Sequence, residues 1–426
     1  MKRYESNWES INSRPVPQWF QDAKFGIFIH WGLYSVPAYN KKGSYTEWYQ
    51  HALNQEGSPT QQFHERVYGK DFKYQDFVKD FKAELFDAEE WAQLFKNSGA
   101  KYINLVSKHH DGFCMYKTDY AWNWNSFDVG PHRDFCAELK KAVEKVGVRF
   151  GVYHSVYEWY NPLYLKDPEE YALKHFIPMM KELVEKYQPW TIFTDGEWEQ
   201  SDTVWHSTQL LEWLYNESSV RDFVVPNDRW GKGTRGKNGG NFTTEYGSIG
   251  TEDKVDLNSR YREECRGSGA SFGLNRIENT DDYLSAKELV DLLVDLVSSG
   301  SNLLLNIGPA ADGTIPVIMQ ERLLQLGKWL SVNGEGIYCS KRYKDSTQKD
   351  VCYTQRDGSV YAFFKHFPMG EKVLEDIEYR DDIKLCLLGS SVSLQAENEG
   401  GRLKVKFPPI NPDELDSEYV YTLKIS

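Results

Sequence analysis

The feature that most constrains the fold is a series of short apolar runs, each ending in polar or charged residues. Two weaker runs lie at 241–246 and 271–276, and the clear ones lie at 25–32, 102–111, 150–155, 191–198, 223–230 and 302–309. Helical patterns separate several of these runs. Such alternation indicates parallel β/α units, and eight strands over about 310 residues favour a closed barrel over an open sheet. The predicted fold class is α/β, an irregular (β/α)8-like TIM barrel.

Helix signals lie between the runs. Asp87 and Glu90 have capping-box spacing, and Ser285 with Glu288 repeats it. Apolar residues recur at helical spacing through 135–146 and stop at a glycine. The stretch 227–275 leaves little room for helices, which is why we expect the barrel to be irregular.

The pattern changes after about residue 340. Short strand-like segments separated by turn-rich stretches follow, at 360–367, 383–389, 402–407 and 419–425. They predict a small antiparallel β-sandwich. We therefore expect a barrel domain over residues 1–339 and a C-terminal β-sandwich over residues 340–426.

Charge and hydropathy exclude several partners. The net charge of −13 argues against nucleic acid, which is bound by clustered Lys and Arg. No segment has the 18 or so apolar residues that span a bilayer, so no membrane partner is expected. The N-terminus lacks the apolar core of a signal peptide. We expect a cytoplasmic protein, with a secreted or lysosomal mature form as the alternative.

The six cysteines show no CxxC spacing, which disfavours both a zinc site and a disulfide framework. We expect most of them to be buried thiols. No cofactor and no metal are predicted. Adjacent histidines on a strand point to opposite faces, which makes the pair His109 and His110 a poor metal site.

Polar side chains at the carboxyl ends of barrel strands meet at one mouth, where such barrels place their active sites. Two carboxylates among histidines and an arginine suit glycoside hydrolysis, in which one carboxylate attacks the anomeric carbon and the other protonates the leaving oxygen. The candidates at these ends are His30, His109, His110, His154, Asp195, Arg229 and Glu245.

Each candidate also has a structural interpretation. Asp-Gly is foremost a turn dipeptide, so Asp195 alone would more often be structural. Glu245 could be a solvated or salt-bridged carboxylate, in which case Glu252 or Glu47, or less favourably Glu197, would be the proton donor. In isolation, His30 would be a core histidine, and Arg229 a partner of a surface acid.

Several motifs, in this order, resemble the α-L-fucosidases of glycoside hydrolase family 29. They are FGIFIHWGLYSVPAY, the EW of YTEWY, KYINLVSKHHDGF, WNWNSFDVGPHRD, GVYHSVYEWYNPLYL, TDGEWE, NDRWG and NLLLNIGPAADG. The similarity runs from about Pro15 to Tyr338 and is strongest to the broad-specificity branch that includes the animal lysosomal enzymes. That family is described as a catalytic barrel followed by a β-sandwich.

The resemblance implies a retaining exo-glycosidase that removes terminal α-L-fucose by double displacement. It makes Asp195 the nucleophile and Glu245 the acid/base. The residues implied to bind the sugar are His30, Glu47, Trp48, His109, His110 and Arg229, to which we add the strand-end His154. Phe193 stands where some relatives have Trp, a change we expect to affect packing more than chemistry.

The implied partner is a fucosylated oligosaccharide or glycoconjugate, and a homo-oligomer is left open. Two alternatives remain for the function. The chain could be a catalytically inactive fucose-binding protein on the same scaffold, or a glycosidase for a related sugar such as galactose.

Overall fold

The computed structural model describes residues 3–247, 260–344, 346 and 348–426. Eight parallel strands form one curved sheet in the order β5-β4-β3-β2-β1-β8-β7-β6. They are β1 (Phe25–Ile29), β2 (Tyr102–Lys108), β3 (Arg149–Ser155), β4 (Thr191–Asp195), β5 (Val225–Pro226), β6 (Phe242–Glu245), β7 (Arg262–Gly267) and β8 (Ser301–Ile307). The TIM-like barrel predicted from the sequence is thereby confirmed.

The edge strands β5 and β6 do not pair as a ladder, and residues next to them connect the two edges by backbone hydrogen bonds. The amide of Gly240 donates to the carbonyl of Asn227 at 2.9 Å, and the amide of Asn241 donates to the carbonyl of Pro226 at 3.1 Å. Glycine is required at position 240 because an added Cβ would overlap the carbonyl oxygen of Pro226. We call this junction the seam of the barrel.

The helices cover the outside of the barrel, and α8 continues through a π-helical turn, Ala172–Phe176, into α9. They are α1 (Trp8–Asn12), α2 (Gln18–Ala23), α3 (Tyr49–Leu53), α4 (Pro59–Val67), α5 (Ala88–Asn97), α6 (Phe135–Lys145), α7 (Pro162–Lys166), α8 (Pro168–Tyr171), α9 (Ile177–Tyr187), α10 (Ser207–Asn216), α11 (Ala286–Ser298) and α12 (Val317–Asn333). Short 3₁₀ turns lie at Leu33–Ser35, Thr46–Trp48, Tyr74–Lys79, Thr280–Asp282, Gly334–Gly336 and Pro412–Glu414.

The predicted helix starts are confirmed. Asp87 accepts from the amides of Glu89 and Glu90 at the start of α5, and Ser285 and Glu288 form a reciprocal capping box at α11. No helix occurs in 227–247 or 260–275, the described parts of the stretch predicted to lack them. Two consecutive strands there, β6 and β7, follow each other without an intervening described helix, which makes the barrel irregular.

Alternation along each strand separates two apolar layers. Phe28, Tyr153, Phe193 and Leu304 lie in a cluster inside the barrel. Their strand neighbours, such as Ile27 and Val152, instead join the large cluster between sheet and helices. A side chain's position along its strand therefore decides whether it reaches the barrel interior or the helix layer.

The prediction of a strand at 271–276 is wrong, because the strand that precedes β8 is Arg262–Gly267. The β7 sequence is charged, which is typical of a solvated segment, yet Glu263 and Glu264 are buried. Tyr102 donates a hydrogen bond to Glu263 and Thr244 donates one to Glu264. Burial raises the pKa of Glu263 to about 7. Partners on other strands, β2 for Glu263 and the adjacent β6 for Glu264, thus make a charged sequence compatible with a buried strand.

The C-terminal strands form two antiparallel sheets, as predicted, one of five strands and one of three. The strands are β9 (Lys341–Arg342), β10 (Val351–Arg356), β11 (Ser359–Phe364), β12 (Gly370–Glu378), β13 (Leu385–Leu387), β14 (Gln395–Glu399), β15 (Arg402–Phe407) and β16 (Tyr421–Ile425). Phe364 and Leu423 from the larger sheet share an apolar cluster with Leu374 and Val405 from the smaller one, so the two sheets pack as a sandwich.

No helix in the described part of the chain is long and apolar enough to cross a membrane. All six cysteines are free. Cys114, Cys136 and Cys265 are buried as expected, whereas Cys352 is partly exposed and Cys339 and Cys386 are exposed.

We expect Gly151→Ala to destabilise the barrel strongly. Thr191 on β4 donates a hydrogen bond to Asn104 on β2, directly over Gly151 on β3. An added Cβ would overlap both side-chain oxygens and lie 2.8 Å from the carbonyl oxygen of Ile103. Overpacking costs about 1–3 kcal/mol or more where the backbone cannot move, and thermal unfolding would show it as a lower Tm.

Gly269→Ala is the matched control, because its Cβ would lie 2.6 Å from a carboxylate oxygen of Glu278 and would overlap no backbone atom. Moving this side chain disturbs hydrogen bonds such as the one from the amide of Ser271, but it leaves the strands in place. Equal Tm values for the two variants would contradict the close approach at Gly151.

Candidate active site

Asp195 ends β4 and projects into the mouth of the barrel. Its Oδ1 lies 2.8 Å from Nη1 of Arg229 and 3.0 Å from Nη2 of Arg235. Its Oδ2 accepts a hydrogen bond from the hydroxyl of Tyr153 at 3.1 Å and lies 3.6 Å from Nε2 of His110. The side chain remains 13% exposed, so a small ligand can still reach it.

The charge state of Asp195 follows from these contacts. Burial is the largest single influence and would raise its pKa, but the guanidinium groups of Arg229 and Arg235 together outweigh burial. The pKa of Asp195 is therefore held well below its usual value. An ionised, partly accessible carboxylate at the end of a barrel strand can act as a nucleophile.

Arg229 brings the second carboxylate to the same place. It follows β5, is 1% exposed, and its Nη2 lies 2.6 Å from Oε1 of Glu245 at the end of β6. This contact is an ion pair without hydrogen-bond alignment, since Nη2 has no aligned acceptor among the described residues. One guanidinium thus bridges Asp195 and Glu245. The side chain of Glu245 is 32% exposed and therefore accessible to water.

Two of the predicted histidines present a nitrogen acceptor to the mouth. Nδ1 of His30 donates to Oδ1 of Asn306 at 2.6 Å, because the amide group of Asn306 donates to the carbonyl of Phe272 and is thereby oriented. Nδ1 of His110 lies 2.6 Å from the hydroxyl oxygen of Ser155. That hydroxyl donates elsewhere, to the carbonyl of Tyr157, and so accepts from His110. In both rings the proton sits on Nδ1 and Nε2 is an acceptor.

Burial keeps these rings neutral. It lowers the pKa of His30 to about 4 and that of His110 to about 3. The pKa of His109 also lies well below its usual value because the ring is buried. His109 stacks on Tyr153 with ring centroids 5.4 Å apart, and its ring centroid is 4.2 Å from that of His110. The expectation that these two histidines point to opposite faces of a strand is therefore wrong, because both lie beyond the end of β2 at Lys108. Neutral rings bind hydroxyl groups without adding charge to the site.

Glu47 and Trp48 come from a loop after β1 and complete the mouth. Oε2 of Glu47 accepts from the amide of Gly273 at 2.9 Å. Burial raises the pKa of Glu47 to about 7, so much of this carboxyl is protonated at neutral pH. The ring of Trp48 lies 5.6 Å from that of His110 and stacks near Trp198 at 6.0 Å. The two residues provide a hydrogen-bonding acid and an aromatic wall.

The structure does not bring His154 to this group. His154 occupies the outward position of β3, where its ring lies 6.3 Å from that of Phe176 and its Nδ1 lies 2.9 Å from the hydroxyl of Ser107. The preceding residue, Tyr153, points inward and contacts Asp195 instead. A strand end alone therefore does not place a side chain in the mouth, because alternate residues face the helices.

Sequence reasoning missed two contacts of Asp195. Tyr153 could have been found from strand alternation, since it shares the inward face of β3. Arg235 lies in the loop that follows Arg229, and no local pattern in 231–240 signals its contact with β4. The alternative proton donor Glu252 lies outside the described residues.

Comparison with known proteins places this geometry in a family. The family model described as "Alpha-L-fucosidase" matches residues 1–335, and that of the "Alpha-L-fucosidase C-terminal domain" matches residues 343–426. The chain belongs to the α-L-fucosidase family.

The similarity to individual α-L-fucosidases extends over the whole chain. The chain is 42% identical to human tissue α-L-fucosidase and 41% identical to the α-L-fucosidase of Dictyostelium discoideum. These alignments cover all of this chain and 92% and 95% of the relatives. A crystal structure of Thermotoga maritima α-fucosidase with a mechanism-based inhibitor superposes with a TM-score of 0.85 at 35% identity, covering 99% of this chain and 100% of that one. Barrel and C-terminal sheets are therefore both family features.

We expect Glu47→Gln to remove a pH dependence of stability. The folded-state pKa of Glu47 is raised to about 7 by burial, against about 4.3 in an unfolded chain. The preference of the folded state for protonated Glu47 adds fully to the free energy of unfolding below about pH 4. This added stability is lost as the pH rises through about 7. Glutamine stays neutral, so the variant gains stability over the wild type by up to about 3 kcal/mol between pH 5 and 8.

Chemical denaturation across this pH range measures the difference, with the exposed Glu56→Gln as the control expected to parallel the wild type. A constant difference between Glu47→Gln and the wild type at all pH values would show that Glu47 does not titrate in this range.

Proposed function

We propose that the chain hydrolyses terminal α-L-fucosyl groups of oligosaccharides or glycoconjugates with retention of configuration. The family membership supports the substrate class. The observation that carries the mechanism is the single guanidinium of Arg229, which contacts Asp195 at 2.8 Å and Glu245 at 2.6 Å. Retaining glycosidases hold their two carboxyl groups about 5–5.5 Å apart, whereas inverting ones leave about 6.5–9.5 Å for water. The shared arginine holds both carboxyl groups at one place in the mouth, and the retaining outcome is proposed from the family membership.

In the first step Asp195 attacks C1 of fucose while Glu245 protonates the departing oxygen. A covalent fucosyl-enzyme forms and the aglycone leaves. In the second step Glu245, now ionised, removes a proton from water, which attacks C1 and releases Asp195. The product keeps the anomeric configuration of the substrate.

Glu245 is the best acid/base among the described carboxylates. It is partly exposed and contacts the arginine that also binds Asp195. Glu47 is 2% exposed and is held by the amide of Gly273, which suits a hydrogen bond to the sugar better than proton exchange with water. Glu197 is buried in an ion pair with Arg235. Glu252 remains an alternative that experiment must separate from Glu245.

Recognition of a 6-deoxy sugar requires both polar and apolar surfaces. The Nε2 acceptors of His30 and His110 suit sugar hydroxyls. Phe272 stacks on His30 with centroids 5.0 Å apart, and Phe28 lies 4.6 Å from the same ring. We assign these two phenylalanine rings to the wall that meets the C6 methyl group. The sequence alone did not identify this wall.

We expect Asp195→Gly to hydrolyse 4-nitrophenyl α-L-fucoside about 10³-fold or more slowly than the wild type, since the nucleophile is gone. Added azide should restore part of the turnover and yield the inverted β-fucosyl azide, identified by proton NMR. A wild type that binds fucose without turnover would favour the binding-protein alternative, and turnover of galactosides alone would change the sugar. Near-normal activity in the variant would mean that another carboxylate attacks.

We expect Glu245→Ala to lose activity according to the leaving group. A 2,4-dinitrophenyl fucoside needs little protonation and should still form the covalent intermediate, whereas a disaccharide substrate should be cleaved at least about 10²-fold more slowly than by the wild type. Azide should then give the retained α-fucosyl azide, opposite to the product from Asp195→Gly. The same pattern in Glu252→Ala but not in Glu245→Ala would assign the acid/base to Glu252.

A further inference from the structure

Arg235 makes a second cationic contact with the proposed nucleophile. Its Nη2 lies 3.0 Å from Oδ1 of Asp195, and its Nε donates to Oε1 of Glu197 at 2.6 Å. The guanidinium carbon lies 5.8 Å from the ring centroid of Trp198. The side chain is only 13% exposed, so these contacts hold the charge inside the protein. Neither Arg235 nor Glu197 has a role in the reaction proposed above.

The two oxygens of Asp195 have different surroundings. Oδ1 receives both guanidinium groups, Arg229 at 2.8 Å and Arg235 at 3.0 Å. Among the described residues, the partners of Oδ2 are the hydroxyl of Tyr153 at 3.1 Å and the neutral ring of His110 at 3.6 Å. Charged donors make the stronger hydrogen bonds. Oδ1 is therefore held in place, and Oδ2 is the oxygen with the freer lone pairs.

Each guanidinium also has a second carboxylate of its own. Arg229 contacts Glu245 at 2.6 Å, and Arg235 contacts Glu197 at 2.6 Å. A buried cation that loses its only partner is strongly destabilising. With a second carboxylate present, neither arginine is left alone when Asp195 loses its charge.

We propose that Arg235, paired with Glu197, is a positioning residue that fixes Oδ1 of Asp195 and leaves Oδ2 to attack the sugar, while keeping the charge of the site balanced. This inference rests on the proposed function. It assigns a positioning role to the Arg235–Glu197 pair and different roles to the two carboxylate oxygens of Asp195.

The charge balance follows from the bonds made and broken. When fucose transfers, the bond from Oδ2 to C1 forms, the bond from C1 to the leaving oxygen breaks, and the proton of Glu245 moves to that oxygen. Burial raises the pKa of Glu197, and its contact with Arg235 works in the opposite direction. With Glu197 held ionised by Arg235, the charged carboxylates before transfer are Asp195 and Glu197. After transfer they are Glu245 and Glu197. Two guanidinium groups face two ionised carboxylates in both states: Arg229 exchanges Asp195 for Glu245, and Arg235 gives up the charge of Asp195 and keeps Glu197.

The other ionisable groups around Asp195 stay the same in every variant of Arg235. Those that face it from the neighbouring strands and loops are His30, His110, Tyr153, Tyr157, Glu197, Arg229 and Glu245. The histidines are neutral, and burial raises the pKa of each tyrosine. Removing Arg235 therefore leaves Arg229 as the one fully charged partner of Asp195 among these residues.

The test compares Arg235→Met, Arg235→Lys and Glu197→Gln, with the exposed Arg221→Met as a control away from the site. For Arg235→Met we expect kcat to fall about 10–100-fold with KM within about 3-fold, and the acid limb of kcat/KM to move to higher pH. Arg235→Lys restores the positive charge. It should therefore recover part of kcat and return the acid limb of the kcat/KM profile most of the way to its wild-type pH. Glu197→Gln removes a negative charge close to Asp195. The acid limb of its kcat/KM profile should therefore lie at the wild-type pH or at a lower pH.

A second readout does not need turnover. Carbon-13 labelling of aspartate carboxyls, with the Asp195 signal assigned from Asp195→Asn, follows the ionisation of Asp195 in each variant by NMR. We expect the midpoint pH of the Asp195 ionisation to rise in Arg235→Met and not in Glu197→Gln. An unchanged Asp195 transition in a folded Arg235→Met protein would overturn this inference, as would equal upward shifts in both variants. A wild type inactive on fucosides with the expected NMR shifts would instead overturn the proposed function alone.

Discussion

The arrangement of the site depends on the buried guanidinium of Arg229. It lies between two carboxylates, donates through Nε to the hydroxyl of Thr243 at 3.0 Å, and faces the ring of Phe193 at 4.6 Å. A cation removed from water in this way is stable only where several partners meet it at once. The carboxyl ends of strands β4, β5 and β6 must therefore lie at the same level along the barrel axis. Phe193 provides an aromatic face for the charge of Arg229.

Much of the fold could be predicted because its signals are local. Six of the eight barrel strands are short apolar runs, and the caps of α5 and α11 follow from residues three positions apart. Strand β7 could not be found in this way, since its Glu263 is satisfied by Tyr102 on β2 and its Glu264 by Thr244 on the neighbouring strand β6. Hydrogen bonds between remote residues leave no local pattern.

The candidate site shows the same division. Motifs in the family's order identified Asp195, Glu245 and Arg229, which the structure brings together. Position along the strand decided the remaining cases: Tyr153 enters the mouth, and its neighbour His154 packs against Phe176 in the helix layer. Arg235 reaches Asp195 from the loop after β5, and its two acidic partners, Asp195 and Glu197, lie about 40 positions earlier in the chain, so no short-range sequence pattern records the contact.

The seam between β5 and β6 lies between the two carboxylates. Asp195 stands on one side of it and Glu245 on the other, and the backbone across it is joined by the bonds of Gly240 and Asn241 instead of a continuous ladder. Elsewhere each pair of neighbouring strands shares a ladder. The seam is closed by those two backbone bonds and by side chains, because the amide and hydroxyl of Thr243 donate to Asp228 and Arg229 reaches Glu245. The spacing between Asp195 and Glu245 is therefore set by side-chain contacts across a junction that has no strand ladder.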